Sequence, residues 1–492
     1  MRFKVFKNGE IESKFTLSGT YMFGTDGIAI RRGKVKFKKG IIECEKPNQE
    51  AAGLALLWPI EGFGKVLLPT TCVPEKEEPY ILNVEIARAK LMQIVIKRED
   101  WSFFNETEEL GDISKEAQDL FIQALQNISD APLASKLADK ALKKAIVFSE
   151  ELASKQSEYM FEARSRNHGF GRGCLGCIID PEQISNPKYI ERLLKLFGFI
   201  TIPLNWGQLE PERGIYDFSK TDACIELLNK KRLAISAGPL LRFSKDYLPK
   251  WLLASKSGFE KIRETAYEFV SLVVSRYPII RSWCVTSGLN SINHFGFSFE
   301  QVLEMNRAAS MAVKAASDRA LKIIEVSNPW GEYYATMPNS IPPLVYVDMV
   351  VQSGINFDAF GLQMRFGKDE AGMHVRDMLH MSSLLDYFAP IAKPVYITAV
   401  EVPSANGSGS YGSEVAGIWH KEWGQSQQGQ WLEQFYKIAL SKPFVDRVTY
   451  SNLCDVKGST IANSGLLTSE LEPKKSYQTL GKLRETIFNR EG

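Results

Sequence analysis

Histidine is scarce in this sequence, and the few that occur do not cluster. His168, His294, His374, His380 and His420 are the only five, and no two stand at a paired metal-ligand spacing, so no metal centre is expected. Phosphate-cradling loops are missing as well. There is no G-x-x-x-x-G-K-[ST], and Gly169-Phe-Gly171-Arg-Gly173 is too short and precedes a strand, so no nucleotide cofactor is expected either. The absence of any run of about 18 apolar residues excludes a membrane-spanning helix. Charge of one sign is lacking too: 60 basic residues stand against 58 acidic ones, which points away from nucleic acid and membrane surfaces as partners. The opening MRFKVFKNGE lacks the apolar core of a secretory signal, and cytoplasmic residence is the expectation. Seven cysteines, scattered and odd in number, suit free thiols in a reducing compartment. Cys174 and Cys177 have the C-x-x-C spacing, but without a second pair a metal or redox role is not expected.

What is there is an ordinary globular composition, 44% apolar and 24% charged, over 492 residues. Three regions differ in period. Residues 1–105 carry short strand-like runs (Thr16 to Phe23, Gly27 to Phe37, Ile41 to Glu45, Gly53 to Trp58, Lys65 to Leu68, Tyr80 to Ile96) and predict a β-sandwich-like domain. A carbohydrate-binding module is one reading of it, and a structural sandwich packed on the next domain is the preferred one. Residues 106–168 shift to helical spacing and predict a solvated helical connector, broken at Asp130-Ala131-Pro132. From 169 to 492, short apolar strands alternate with amphipathic helices. Eight strands can be drawn: Gly176 to Ile179, Phe199 to Ile202, Leu233 to Gly238, Ser282 to Thr286, Lys322 to Val326, Ala359 to Gln363, Val395 to Val400 and Arg447 to Leu453. The fold class predicted is α/β, a (β/α)8 TIM barrel preceded by the sandwich and the connector, with its site at the strand C-terminal ends.

The stretch FGFITIPLNWGQLEPERGIYDF, Phe197 to Phe218, is the most specific in the chain. It resembles the second strand and loop of the family-10 glycoside hydrolases, the xylanase family, where E-N-x-M-K-W is followed by E-P-x-x-G-x-[FY]-x-F. Leu248-Pro-Lys-Trp251, Arg281-Ser-Trp283, Phe360-Gly-Leu-Gln363, Ile397-Thr398 and Leu471-Glu-Pro-Lys474 with Tyr477 match further family motifs in the same order.

The resemblance implies an O-glycosidase with two glutamates, yet neither stands in its place. The acid/base motif W-D-V-V-N-E reads Trp283-Cys-Val-Thr-Ser-Gly288, and the nucleophile motif I-T-E-L-D reads Ile397-Thr-Ala399-Val-Glu401. A retaining glycosidase needs both carboxyl groups, about 5–5.5 Å apart. The sugar-holding positions differ as well, with Thr201, Ile202 and Asn205 in the second-strand motif, Gly238 at the end of the third strand and Arg242 after it, and Arg365 two positions beyond Gln363.

The reading preferred is therefore a xylanase-like barrel without the usual activity, acting as a carbohydrate-binding or interaction protein. The alternative is a divergent glycoside hydrolase using relocated carboxylates, Glu401 with Glu325 or Asp455. The expected ligand is a carbohydrate or other polar small molecule at the mouth, against Asn205, Trp206, Arg242, Trp283, Gln363 and Arg365. Trp330 of the Asn328-Pro-Trp330 loop is expected either as a wall or packed loop to barrel, and so is the Trp419, His420 and Trp423 loop. The Gly/Ser-rich segment Ser404 to Gly412 is a lid candidate. A protein partner is left open.

Overall fold

The computed structural model describes residues 1–101, 108–167 and 169–488. His168 and the predicted junction at 105/106 lie outside the described residues. Eight parallel strands close into a barrel: Leu175–Ile178, Phe199–Pro203, Ala234–Gly238, Ser282–Ser287, Leu321–Val326, Ala359–Arg365, Val395–Glu401 and Val445–Tyr450. They are called barrel strands one to eight below. All eight fall where the apolar runs predict them, because a strand buried on both sides reads as a short continuous apolar stretch between turns.

The N-terminal region forms two four-stranded sheets. One holds Lys34–Lys38, Ile41–Glu45, Arg2–Lys4 and Tyr80–Ile81. The other holds Gly64–Pro69, Ala52–Ile60 and Tyr21–Gly24, and takes its fourth strand, Ile418–Trp419, from the loop after barrel strand seven. Ile418 pairs with Lys65 and Trp419 with Gly64. Phe3, Ile42, Leu54, Leu56 and Trp58 from the two sheets join one apolar core with the barrel's helices.

Two expectations change here. The run from Tyr80 is a strand only to Ile81 and then the helix Leu82–Asp100. Its opening alternates like a strand, but Ala87, Lys90, Ile94 and Lys97 recur at helical spacing and all are buried. Tertiary contacts settle it: Lys90 Nζ meets Asp377 Oδ1 at 2.7 Å and Lys97 Nζ meets Asp386 Oδ2 at 2.9 Å, tying this helix to the barrel.

The connector, in turn, is not merely solvated. It consists of the helices Glu108–Gln126 and Ala131–Asn167, the second started by Asp130, whose carboxylate accepts from the Leu133 N–H at 3.1 Å. Ala134, Ala138, Ala145, Ile146 and Leu152 of that second helix are buried, and the helix packs on Leu82–Asp100 and on the barrel helices Met378–Asp386 and Gln425–Ser441. Small residues on one face let helices approach closely. Among the described residues, no helix is long and apolar enough to cross a membrane.

Candidate functional site

Each barrel strand sends alternate side chains inward. Thr201 and Pro203 of strand two, Glu325 of strand five, Gln363 and Arg365 of strand six, and Ala399 of strand seven line one cavity that reaches the strand C-terminal ends. Arg242 and Tyr247 from the loop after strand three complete its upper wall, the Arg242 guanidinium lying 5.1 Å from the Tyr247 ring centre. Its volume is about 90 Å³, well below the roughly 300 Å³ at which small-molecule pockets usually begin.

Side chains take up the rest of the mouth. Strands six and seven slip register between Leu362 and Gln363, so that Gln363 faces Ala399 and Arg365 faces Glu401. Arg365 Nε then stands 3.0 Å from Glu401 Oε1, while Glu401 Oε2 accepts from the Ile461 N–H at 3.1 Å. Arg365 also donates to Gln363 Oε1 at 2.9 Å. Gln363 Nε2 and Ser287 Oγ each donate to Glu325 Oε1 at 2.5 Å. A connected network thus runs from Ser287 through Glu325, Gln363 and Arg365 to Glu401. Cys284 also lines the cavity, but burial, reinforced by the Glu325 charge, pushes its thiol well above the usual range and leaves no thiolate nucleophile there.

Of the residues expected at the mouth, Arg242, Glu325, Gln363 and Arg365 line the cavity, and Glu401 lies directly behind Arg365. The others stand elsewhere. Asn205 caps the short helix Trp206–Leu209, accepting from the Gln208 N–H at 3.2 Å, and this turn swings Trp206 back among the helices. Trp206 stacks on Phe269 at 4.6 Å and donates its indole N–H to Glu210 at 2.7 Å. Trp283 is fully buried in the core, since its neighbour Cys284 takes the inward-facing position. Asp455 is held by Lys474 at 2.7 Å and accepts from the Gly465 N–H at 2.9 Å.

Trp330 is covered by Arg376, whose guanidinium lies 3.9 Å from its ring centre. Arg376 in turn pairs with the buried Glu332. Trp419 and Trp423 are buried as well, and Trp419 donates to Glu150 of the long helix at 3.0 Å. These aromatics pack loop to domain, and none of them lines the barrel cavity. The segment from Ser404 to Gly412 is anchored at both ends, by Ser404 Oγ to the Asn463 carbonyl at 2.8 Å and by Tyr411 Oη to the Thr460 carbonyl at 3.4 Å. Sequence reasoning missed Ser287 and Tyr247; strict alternation from Cys284 points Thr286 inward, and it is the register irregularity between Cys284 and Thr286 that turns Ser287 toward Glu325.

Gly288 ends strand four with φ at +68°, a left-handed conformation that disfavours any residue with a side chain. A Cβ placed there would come within 2.5 Å of Ser327 Oγ, which is already hydrogen-bonded to Ser291 at 2.7 Å. Ala399 faces the cavity. Among the described residues, Glu325 is the only carboxylate in the cavity wall.

Eight parallel strands closed into a ring, with converging loops at their C-terminal ends, define a (β/α)8 barrel. A family model described as Glycosyl hydrolase family 10 matches residues 166–482, well over half of the chain, and the chain belongs to that family. Among solved structures, native xylanase 10B from Thermotoga maritima is similar at 17% identity and a TM-score of 0.50, covering 68% of this chain and 99% of that one. Xylanase 10B from Thermotoga petrophila RKU-1, in complex with xylobiose, is similar at 18% identity and a TM-score of 0.50, covering 66% and 97%. At these identities the likeness is one of fold, and function has to be argued from the site.

Proposed function

We propose that this chain is a non-catalytic member of its family that binds a carbohydrate or other polar small molecule at the barrel mouth. The observation that carries this reading is the single carboxylate of the cavity wall. Glycoside hydrolysis by either stereochemical route uses two carboxyl groups flanking the scissile bond, and Glu325 has no such partner in the wall. Glu401 is neutralised by Arg365 and Asp455 by Lys474, so neither offers a ready proton donor or nucleophile. What the wall does offer is donors, from Arg242, Gln363 and Arg365, around one acceptor, Glu325. Such a set, with donors and an acceptor together, suits hydroxyl groups.

A panel of chromogenic glycosides including aryl xylobioside, run beside a glycan array, tests both halves of the proposal. No turnover above buffer is expected, together with binding that weakens in Arg242→Ala and Arg365→Ala. Turnover that disappears in Glu401→Gln would instead establish relocated catalytic carboxylates. Absence of any mouth ligand would leave the barrel a scaffold.

A further inference from the structure

A second concavity, of about 910 Å³, lies between the N-terminal sheets and the helix Ala131–Asn167, and it shares no wall residue with the barrel cavity. Its size falls in the range of about 300–1,000 Å³ typical of ligand sites. The floor is apolar: Val5, Phe6, Trp58, Ile60 and Leu142 line it, and all are buried. The rim is basic. Lys136, Lys140 and Lys143 stand at i, i+4 and i+7 along one wall, and Lys7, Lys14 and Lys65 also line the groove.

Three of these six lysines are compensated: Lys7 by Glu12 at 4.0 Å, Lys65 by Glu414 at 2.9 Å and Lys143 by Glu61 at 3.3 Å. Among the described residues, Lys14, Lys136 and Lys140 have no carboxylate within ion-pair distance. The remaining acid of the wall, Asp139, is engaged by Asn83, whose Nδ2 reaches both carboxylate oxygens at 2.9 Å. A rim with surplus positive charge above an apolar floor calls for a ligand that is acidic on one side and apolar on the other.

We infer that this groove docks an extended acidic peptide segment of a partner protein, its carboxylates on the lysine rim and its apolar side chains on the floor. The spacing fits an extended chain. From Lys136 to Lys140, the two lysines of this wall with no carboxylate partner among the described residues, the helix advances about 6 Å, close to the roughly 6.6 Å at which same-side residues of an extended peptide recur. Two alternating acidic residues therefore meet Lys136 and Lys140, and the residue between them faces the floor.

Two other polyanions fit less well. A sugar or a nucleic-acid base needs an open aromatic face to stack on. Trp58 is only 4% exposed, and Phe15 is tilted against both Trp58 and Phe37. No arginine, the preferred residue for bidentate phosphate recognition, lines the groove. The inference is independent of the reading of the barrel mouth.

The test is fluorescence polarisation of the full chain with labelled acetyl-(Glu-Val)4-amide. Acetyl-(Lys-Val)4-amide, a galacturonic acid octamer and an oligothymidylate of the same length serve as competing probes. The Glu-Val peptide is expected to bind saturably and the Lys-Val peptide not at all. Lys136→Glu with Lys140→Glu should weaken binding by about tenfold or more, equivalent to about 1.4 kcal/mol. Lys136→Ala with Lys140→Ala should weaken it less, and Lys314→Glu, on a barrel helix, should leave it unchanged. Failure of the Glu-Val peptide to bind overturns the inference. So does binding that is indifferent to the lysine pair, or tighter binding of the galacturonate or the oligonucleotide.

Discussion

Arg365 and Glu401 face each other across the sixth and seventh barrel strands, Nε to Oε1 at 3.0 Å, and their side chains are 16% and 3% exposed. The pair closes one side of the mouth. It also creates a dependence, because a buried carboxylate that loses its cation stays buried and uncompensated. Arg365→Ala is expected to cost roughly 3–5 kcal/mol in urea unfolding, whereas Arg365→Met with Glu401→Leu should be close to neutral. A loss below about 1 kcal/mol for the single variant would mean that water, not Arg365, solvates Glu401.

Gly288 gives a second prediction. Its φ of +68° and the close approach to Ser327 Oγ make any side chain strained, so Gly288→Ala should destabilise by about 1 kcal/mol or more. Placing glutamates at both positions expected from the sequence, Gly288→Glu with Ala399→Glu, should lower the melting temperature and yield no xylan turnover. Measurable turnover in that double variant would show that the backbone at Gly288 relaxes at little cost.

The connector helix Ala131–Asn167 holds the loop after barrel strand seven through Glu150. This buried carboxylate accepts from Trp419 Nε1 at 3.0 Å and from the Met378 N–H at 2.6 Å. Glu150→Ala leaves two buried donors without their acceptor, at about 1–3 kcal/mol each. Limited proteolysis should then cut between residues 403 and 424 sooner than in the parent chain. An unchanged digestion pattern would mean that the pairing of Ile418–Trp419 with Gly64–Pro69 suffices alone.

Asp139 makes stability depend on pH. Burial pushes its carboxyl up to about 7, opposed by the Asn83 hydrogen bonds. Because the folded value lies above the unfolded one, near 3.9, its contribution is fully present below about pH 4 and is lost as pH rises through about 7. The stability advantage of Asp139→Asn over the parent should therefore grow from pH 4 to pH 7 and level off above. Thermal melts across that range decide it, and a pH-independent difference would place the carboxyl in water.

The sequence by itself determined the barrel. Apolar runs of strand length, spaced by amphipathic helices, can bury their faces in few ways, and all eight strands fall where those runs predict them. It also determined that Gly288 and Ala399 carry no carboxyl group, since that is a matter of residue identity. Direction beyond the strand ends was another matter. Period two assigns inward and outward faces only while the backbone stays extended, so Gln363 and Arg365 were legible as cavity residues. Trp206, one helical turn past its strand, was not, because the Asn205 cap turned it toward Phe269.

The tertiary structure alone decided the pairing of Arg365 with Glu401, which required a register slip between strands six and seven. It likewise decided that Leu82–Asp100 docks on Asp377 and Asp386 from nearly 300 residues away, and that Ile418–Trp419 completes an N-terminal sheet. These features depend on which groups desolvate together. No local pattern encodes that, since each partner taken alone would be content in water.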